Sequence, residues 1–259
     1  MRLLVILLTA LLLPESALAA SAEELGLAIA AQADASDRGW GDLTAALSMT
    51  LRNANGLGSQ RELRVQILEI TGDGDRSLTL FDAPRDIAGT AFLSYTHALT
   101  PDDQWLYLPA LKRVKRIASA NKSGPFMGSE FAYEDLTSSE LEKYRYTLLR
   151  TETLEGRVVD VIEQRPQYAN SGYTRRVVWL DQAMHQALKI EFYNRGNALL
   201  KTLTLSDYVQ YLGQYWRASR LRMVNHQSGK ETDLTWRDYR FRTGLSLRDF
   251  DQNTLKRVR

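Results

Sequence analysis

From Leu43 onward the apolar positions recur every second residue: Leu43, Ala45, Leu47, Met49 and Leu51 share one face, with Thr44, Ser48, Thr50 and Arg52 largely on the other. That period predicts a half-buried strand. Residues 53–58, rich in Asn and Gly, supply turn chemistry, and residues 61–70 return with Leu63, Val65 and Ile67 inward, predicting an antiparallel hairpin. Residues 77–82 and 87–95 read as two more strands around Pro84. Further strands are predicted over residues 144–150, 157–164, 175–180, 188–194, 199–208, 215–227 and 230–242, each bounded by Gly, Pro, Asn or Asp. Two helices accompany them. Ser21 with Glu24 has capping-box spacing and opens an alanine-rich helix to residue 35; Thr137 with Glu140 repeats the spacing ahead of a helix of one or two turns.

With the central strands this makes about eleven, joined by hairpin-length turns, which argues for one large antiparallel sheet rather than several small domains. Open twisted sheets rarely exceed about ten strands without curling, and a curled sheet of that size has room for a ligand. The expected fold is therefore mainly β: a single curved sheet, an incomplete β-barrel, with covering helices and a hydrophobic cavity.

The stretch 104–136 departs furthest from an ordinary β pattern. Trp105, Leu106, Tyr107 and Leu108 run without a polar break, so both faces of that strand need cover, as do those of Val177, Val178, Trp179 and Leu180. Lys112, Arg113, Lys115 and Arg116 then place four cations in five positions around Val114. Gly124, Pro125 and Gly128 forbid regular structure, yet Phe126 and Met127 sit among them, where they either plug the domain's own core or cover a bound ligand.

Composition narrows the class. Residues 1–19 carry Arg2, an apolar run over residues 3–13 and an Ala17-Leu18-Ala19 cleavage pattern, so a secretory signal is expected there and a single domain over residues 20–259. The run is too short to span a bilayer, for which about twenty residues are needed. The chain has no cysteine, hence no disulfide, zinc-thiolate site or lipidated cysteine, and its net charge is +2. Near-neutrality and the signal argue against nucleic acid as the partner of the basic, aromatic stretch. His97, His185 and His226 have no metal-ligand spacing, and no nucleophile elbow or phosphate loop occurs. Asp73-Gly74-Asp75 reads as a turn, and Glu134 with Asp135, as neighbours on a strand, would face apart. No catalytic residue, cofactor or metal is expected.

The residues 105–111, WLYLPAL, the Lys/Arg pairs bracketing Val114, and GPFMGSEF at 124–131 followed by Tyr133, Glu134 and Asp135 resemble the signature of the longer branch of the LolA-like outer-membrane lipoprotein-sorting proteins. The resemblance extends to Asp37-Arg38-Gly39, the strand of Met49, and Phe250 with Leu255. It implies a LolA/LolB-like fold, periplasmic location, non-enzymatic carriage of a lipid or lipoprotein acyl chains, and a transporter of the resistance-nodulation-division class as inner-membrane partner. The expected lipid contacts are Trp105, Tyr107, Phe126, Met127, Phe131, Tyr133 and Trp179, gated near Phe126 and Met127. Lys112, Arg113, Lys115 and Arg116 are expected to meet lipid phosphate or an acidic partner. A non-carrying accessory subunit of an envelope exporter is the alternative.

Overall fold

The computed structural model describes residues 20–256 except Ser139. The expected signal peptide, residues 1–19, lies outside the described residues. The first element is helix α1, Ala22–Ser36, and its N-terminus is built as its sequence predicts: the Ser21 hydroxyl accepts from the Glu24 amide at 3.1 Å, while the Ser21 amide donates to the Glu24 carboxylate at 2.7 Å. Thirteen strands follow: β1 Asp42–Arg52, β2 Gly58–Leu68, β3 Arg76–Ala83, β4 Ala91–Tyr95, β5 Asp103–Leu108, β6 Arg113–Ile117, β7 Tyr144–Leu154, β8 Arg157–Pro166, β9 Tyr173–Asp181, β10 Ala187–Asn194, β11 Leu199–Tyr211, β12 Tyr215–Asn225 and β13 Glu231–Phe241.

All lie in one sheet, in the order β6-β5-β4-β3-β2-β1-β13-β12-β11-β10-β9-β8-β7, with every neighbouring pair antiparallel. The chain walks outward from β1 to β6, crosses to the far edge at β7, and walks back inward until β13 pairs with β1, Met49 opposite Leu234 and Leu47 opposite Trp236. The edges β6 and β7 do not pair. The barrel is therefore open, as expected, but of thirteen strands rather than about eleven.

Two local expectations fail for physical reasons. Residues 87–90 are not strand: the amides of Ile87 and Ala88 turn back to the Pro84 carbonyl, and β4 begins only at Ala91. The second helix reduces to a 3-10 turn at Leu141–Lys143, because β7 starts at Tyr144 and Thr137, the expected cap, spends its hydroxyl on the Glu134 carbonyl at 3.0 Å.

The sheet buries its concave face and part of its convex face, with different covers. On the concave side, residues 118–143 cross from edge to edge and bury Phe126 and Phe131 against Leu47, Met49, Leu63, Val65, Phe81, Phe92 and Leu106. On the convex side, the C-terminal segment lays Phe250 and Leu255 over Leu78, Leu80, Ala91 and Leu93. Around Trp179 the convex cover is made of charged stems: Lys189 Nζ lies 3.5 Å from the ring centroid, and the indole N–H donates to Glu152 at 2.6 Å.

Candidate functional site

Period-two geometry divides the seven expected lipid contacts between the two faces. Phe126, Phe131 and Tyr133 come together on the concave side; Phe126 lies 5.1 Å from Phe92, 5.5 Å from Tyr133 and 5.9 Å from Phe81, centroid to centroid, and is 1% exposed. Met127 packs at the edge of the same cluster. In β5, however, Leu106 and Leu108 are the apolar side chains that face this core, and Trp105 and Tyr107 point to the convex side beneath the C-terminal segment. Trp179 is convex as well, in the cluster of Val159, Val161 and Val177. The set therefore does not line one space: three of its members are outside the sheet's curve, and Phe126 fills core.

The four cations are exposed on edge strand β6 and the turn before it. Arg113 and Lys115 sit opposite Leu108 and Leu106, Arg116 opposite Trp105, so the row splits across both faces. Arg116 is ion-paired with Asp103.

The segment carrying Phe126 is fastened at several points. Arg61 Nη1 donates to the Met127 carbonyl at 2.5 Å, and Lys201 Nζ donates to the Glu130 carbonyl at 2.8 Å and to Asp135 at 2.6 Å. Glu134 and Asp135 stand on a 3-10 turn rather than a strand, but they do face apart: Asp135 meets Lys201 and the Tyr173 hydroxyl, while Glu134 accepts from the Gly172 amide at 2.8 Å and the Ser171 hydroxyl at 2.9 Å. Burial pushes the Glu134 carboxyl above its ordinary range, against those hydrogen bonds.

A cavity of about 620 Å³ opens elsewhere, beneath α1 and over the concave face of β8, β9 and β10. Such a volume falls within the range of small-molecule sites, roughly 300–1,000 Å³. Ile162, Val178, Leu180 and Ile190 from the sheet and Ala30 and Ala33 from α1 form its apolar part, and charged and polar side chains line the rest. The helix can lie this close because of Gly26: a Cβ there would sit 2.7 Å from the Leu148 backbone nitrogen on β7. Arg176 and Gln164 line the inner part, and the Arg176 guanidinium is held by the Gln164 carbonyl oxygen at 3.1 Å and 2.5 Å.

The mouth is acidic. Asp34 and Asp37 at the end of α1, Glu69, Asp73 and Asp75 on the β2–β3 turn, and Glu140 and Glu142 before β7 all line it. Burial raises the Asp75 carboxyl to about 7, with repulsion from Glu140, Glu69 and Asp37 added; burial likewise raises Asp37 and Glu140. Arg217 offsets part of this at Asp37, 2.6 Å away.

Arg176 and the α1 wall went unidentified in the sequence. One signal was there: Arg176 shares the parity of Val178 and Leu180, which puts a cation in an inward-facing row. Among the described residues no group of His, Asp or Glu is arranged to hold a metal ion, and no helix is long and apolar enough to cross a membrane.

Known proteins share this open antiparallel barrel. A family model described as uncharacterized-protein-like matches residues 73–257. A domain assigned to the outer membrane lipoprotein-sorting proteins, from Vibrio parahaemolyticus, is 58% identical over 90% of this chain and 99% of that one, with a TM-score of 0.89. A DUF1329 family protein from Desulfovibrio piger ATCC 29098 is 26% identical over 91% of this chain and 100% of its own, TM-score 0.86. A LolA superfamily protein from Nitrosomonas europaea, 21% identical over 91% and 99% of the two chains, has the same fold at a TM-score of 0.71. No curated protein matches. The chain belongs to the outer-membrane lipoprotein-sorting protein family, and its fold is that of the LolA superfamily protein.

Proposed function

We propose that the protein is a non-enzymatic periplasmic carrier that binds a lipid, or the acyl chains of a lipoprotein, and moves it between envelope membranes. The observation that carries this reading is the cavity of about 620 Å³ under α1 on the concave face of the open barrel, part of whose lining, Ile162, Val178, Leu180 and Ile190, is apolar. Each methylene buried there contributes about 0.8 kcal/mol, so a single chain suffices for capture. Family membership supports the same reading. An inner-membrane transporter of the resistance-nodulation-division class is the proposed donor or acceptor, and the cations of β6, Lys112, Arg113, Lys115 and Arg116, are the proposed contact for lipid phosphate or an acidic partner face.

The test is native mass spectrometry with organic extraction of the protein purified from periplasm without detergent, alongside Ile162→Glu and Val178→Glu variants. A bound lipid present in the wild type and lost in both variants supports the carrier. A second reading, a non-carrying accessory subunit of an exporter, is favoured by the filling of the concave side by Phe126 and Phe131 against Leu47, Met49, Phe81 and Phe92. A wild type that comes clean and takes up no fluorescent fatty acid selects that second reading.

A further inference from the structure

The β5–β6 hairpin presents a leucine to solvent at its tip. Pro109–Leu111 forms a 3-10 turn closed by the Lys112 amide on the Pro109 carbonyl at 3.0 Å, and Lys112 takes the left-handed conformation at φ 49°. Leu111 is 62% exposed, and Ala110, Lys112, Arg113, Lys115 and Arg116 are exposed around it. The strand behind the tip is firmly seated: Val114 packs in the convex cluster of Leu78 and Leu93, and Ile117 against the concave core of Phe126. Arg116 has Asp103 as its counterion; Lys112, Arg113 and Lys115 have no ion pair among the described residues. Charges on an edge strand commonly guard it against pairing with another chain. That accounts for the cations of β6, but a leucine held in solvent beside them works against the same protection.

We propose that this tip docks on an anionic bilayer, seating Leu111 at the boundary of headgroups and acyl chains with Lys112, Arg113 and Lys115 on the phosphates. The proposal deepens the β6 contact named above and rests on the envelope reading only for the presence of a membrane. Three observations select a bilayer over an acidic protein face. The cations split between faces, Arg113 and Lys115 opposite Leu108 and Leu106, Arg116 opposite Trp105. A protein surface meets one face of a strand, whereas a bilayer entered tip first meets both. Spacing agrees as well: at about 3.3 Å per residue, Arg113 to Lys115 spans about 7 Å, close to the depth of one headgroup layer. Finally, the register sets Arg76 beside Tyr95 and Tyr95 beside Asp103, so the turn bearing Glu69, Asp73 and Asp75 lies at the far end of β3–β5 from Leu111. The net charge of +2 thus conceals a polarity along these strands, which turns the basic tip toward an anionic surface and the acidic mouth away from it.

The experiment is co-sedimentation at low salt with vesicles of phosphatidylglycerol mixed with phosphatidylcholine, or of phosphatidylcholine alone, using wild type, Leu111→Asp and Leu111→Phe. The chain has no cysteine, so Leu111→Cys, and Glu155→Cys in the exposed β7–β8 turn, each accept a single environment-sensitive dye. Wild type should bind the anionic vesicles and not the neutral ones. Leu111→Asp should weaken that binding about tenfold, and Leu111→Phe should keep it. The dye at 111 should shift to the blue on the anionic vesicles while the dye at 155 stays unchanged. Because Leu111 is exposed, the melting midpoints of these variants should match wild type. Wild type that ignores anionic vesicles overturns the proposal. So does binding that Leu111→Asp leaves intact with a silent dye at 111, which means adsorption by charge alone. Tighter binding to a poly-glutamate peptide than to the vesicles, indifferent to Leu111, overturns it in favour of an acidic protein partner. Each of these failures leaves the carrier reading standing, since lipid retained by the purified protein is read separately by native mass spectrometry.

Discussion

Lys201 Nζ lies 2.6 Å from Asp135 Oδ2, with both side chains about 95% buried, and this pair pins the segment that crosses the barrel to strand β11. Each partner is fully engaged: Lys201 also donates to the Glu130 carbonyl, and Asp135 accepts from the Ala132 amide at 2.7 Å and the Tyr173 hydroxyl at 2.8 Å. Removing one charge leaves the other buried without its counterion. Lys201→Met should therefore cost about 3–5 kcal/mol. The double variant Lys201→Met with Asp135→Leu should lose less than the single one, read as urea midpoints.

Phe126 offers a cleaner separation of stability from binding. It packs between Phe81, Phe92 and Tyr133 and does not line the cavity under α1. Phe126→Ala should destabilise by about 3–5 kcal/mol through the void it leaves. Well below its melting midpoint, the variant should retain lipid like wild type. Lipid lost from a folded Phe126→Ala protein would return the gate to that segment.

Asp75 makes stability fall with rising pH. Its folded-state pKa of about 7 stands above the ordinary carboxylate value of 3.8, so the folded protein holds the proton more tightly than the unfolded chain. Below pH 4 both states are protonated and there is no penalty; between pH 4 and 7 the penalty grows, and above 7 it is constant. Asp75→Asn keeps an acceptor for the Ile70 amide and removes the charge. It should be more stable than wild type at pH 8, by about 1–3 kcal/mol, with the gap closing by pH 4 in denaturant titrations.

Gly26 tests the seating of the lid. Alanine at an ordinary helical glycine gains about 1 kcal/mol of helix propensity. Here its Cβ would fall 2.7–2.8 Å from the backbone of Thr147 and Leu148, so Gly26→Ala should instead destabilise the protein and speed amide exchange in α1 and β7. A stabilised variant would mean that α1 is not held against that strand.

The exposed cations of β6 predict a salt-dependent surface interaction. Arg113→Glu with Lys115→Glu should weaken co-sedimentation with phosphatidylglycerol vesicles at low salt, since each basic residue near an anionic surface is worth about 1 kcal/mol. Both side chains are exposed, so the melting midpoint should hold. Unchanged vesicle binding would reduce the row to edge protection, which charged residues commonly provide.

Local pattern was enough for much of the fold. The alternation at Leu43 to Leu51, the turn residues after it and the Ser21–Glu24 cap each act over a few neighbours, and each appears in the structure where the sequence puts it. The need for a curled sheet followed from strand number alone. Where the local pattern was ambiguous it misled: Trp105 to Leu108 is apolar on both faces, so its period could not say which face is concave.

Periodicity, turn chemistry and a contiguous motif thus pointed to most of the strands, the single open sheet and the family. Long-range packing settles that β13 pairs with β1, that Phe126 fills core and that the cavity lies under α1. The physical reason is separation: Met49 meets Leu234, and Ala30 faces Val178 across the cavity, through curvature and register summed over many strands, which no short window of residues encodes.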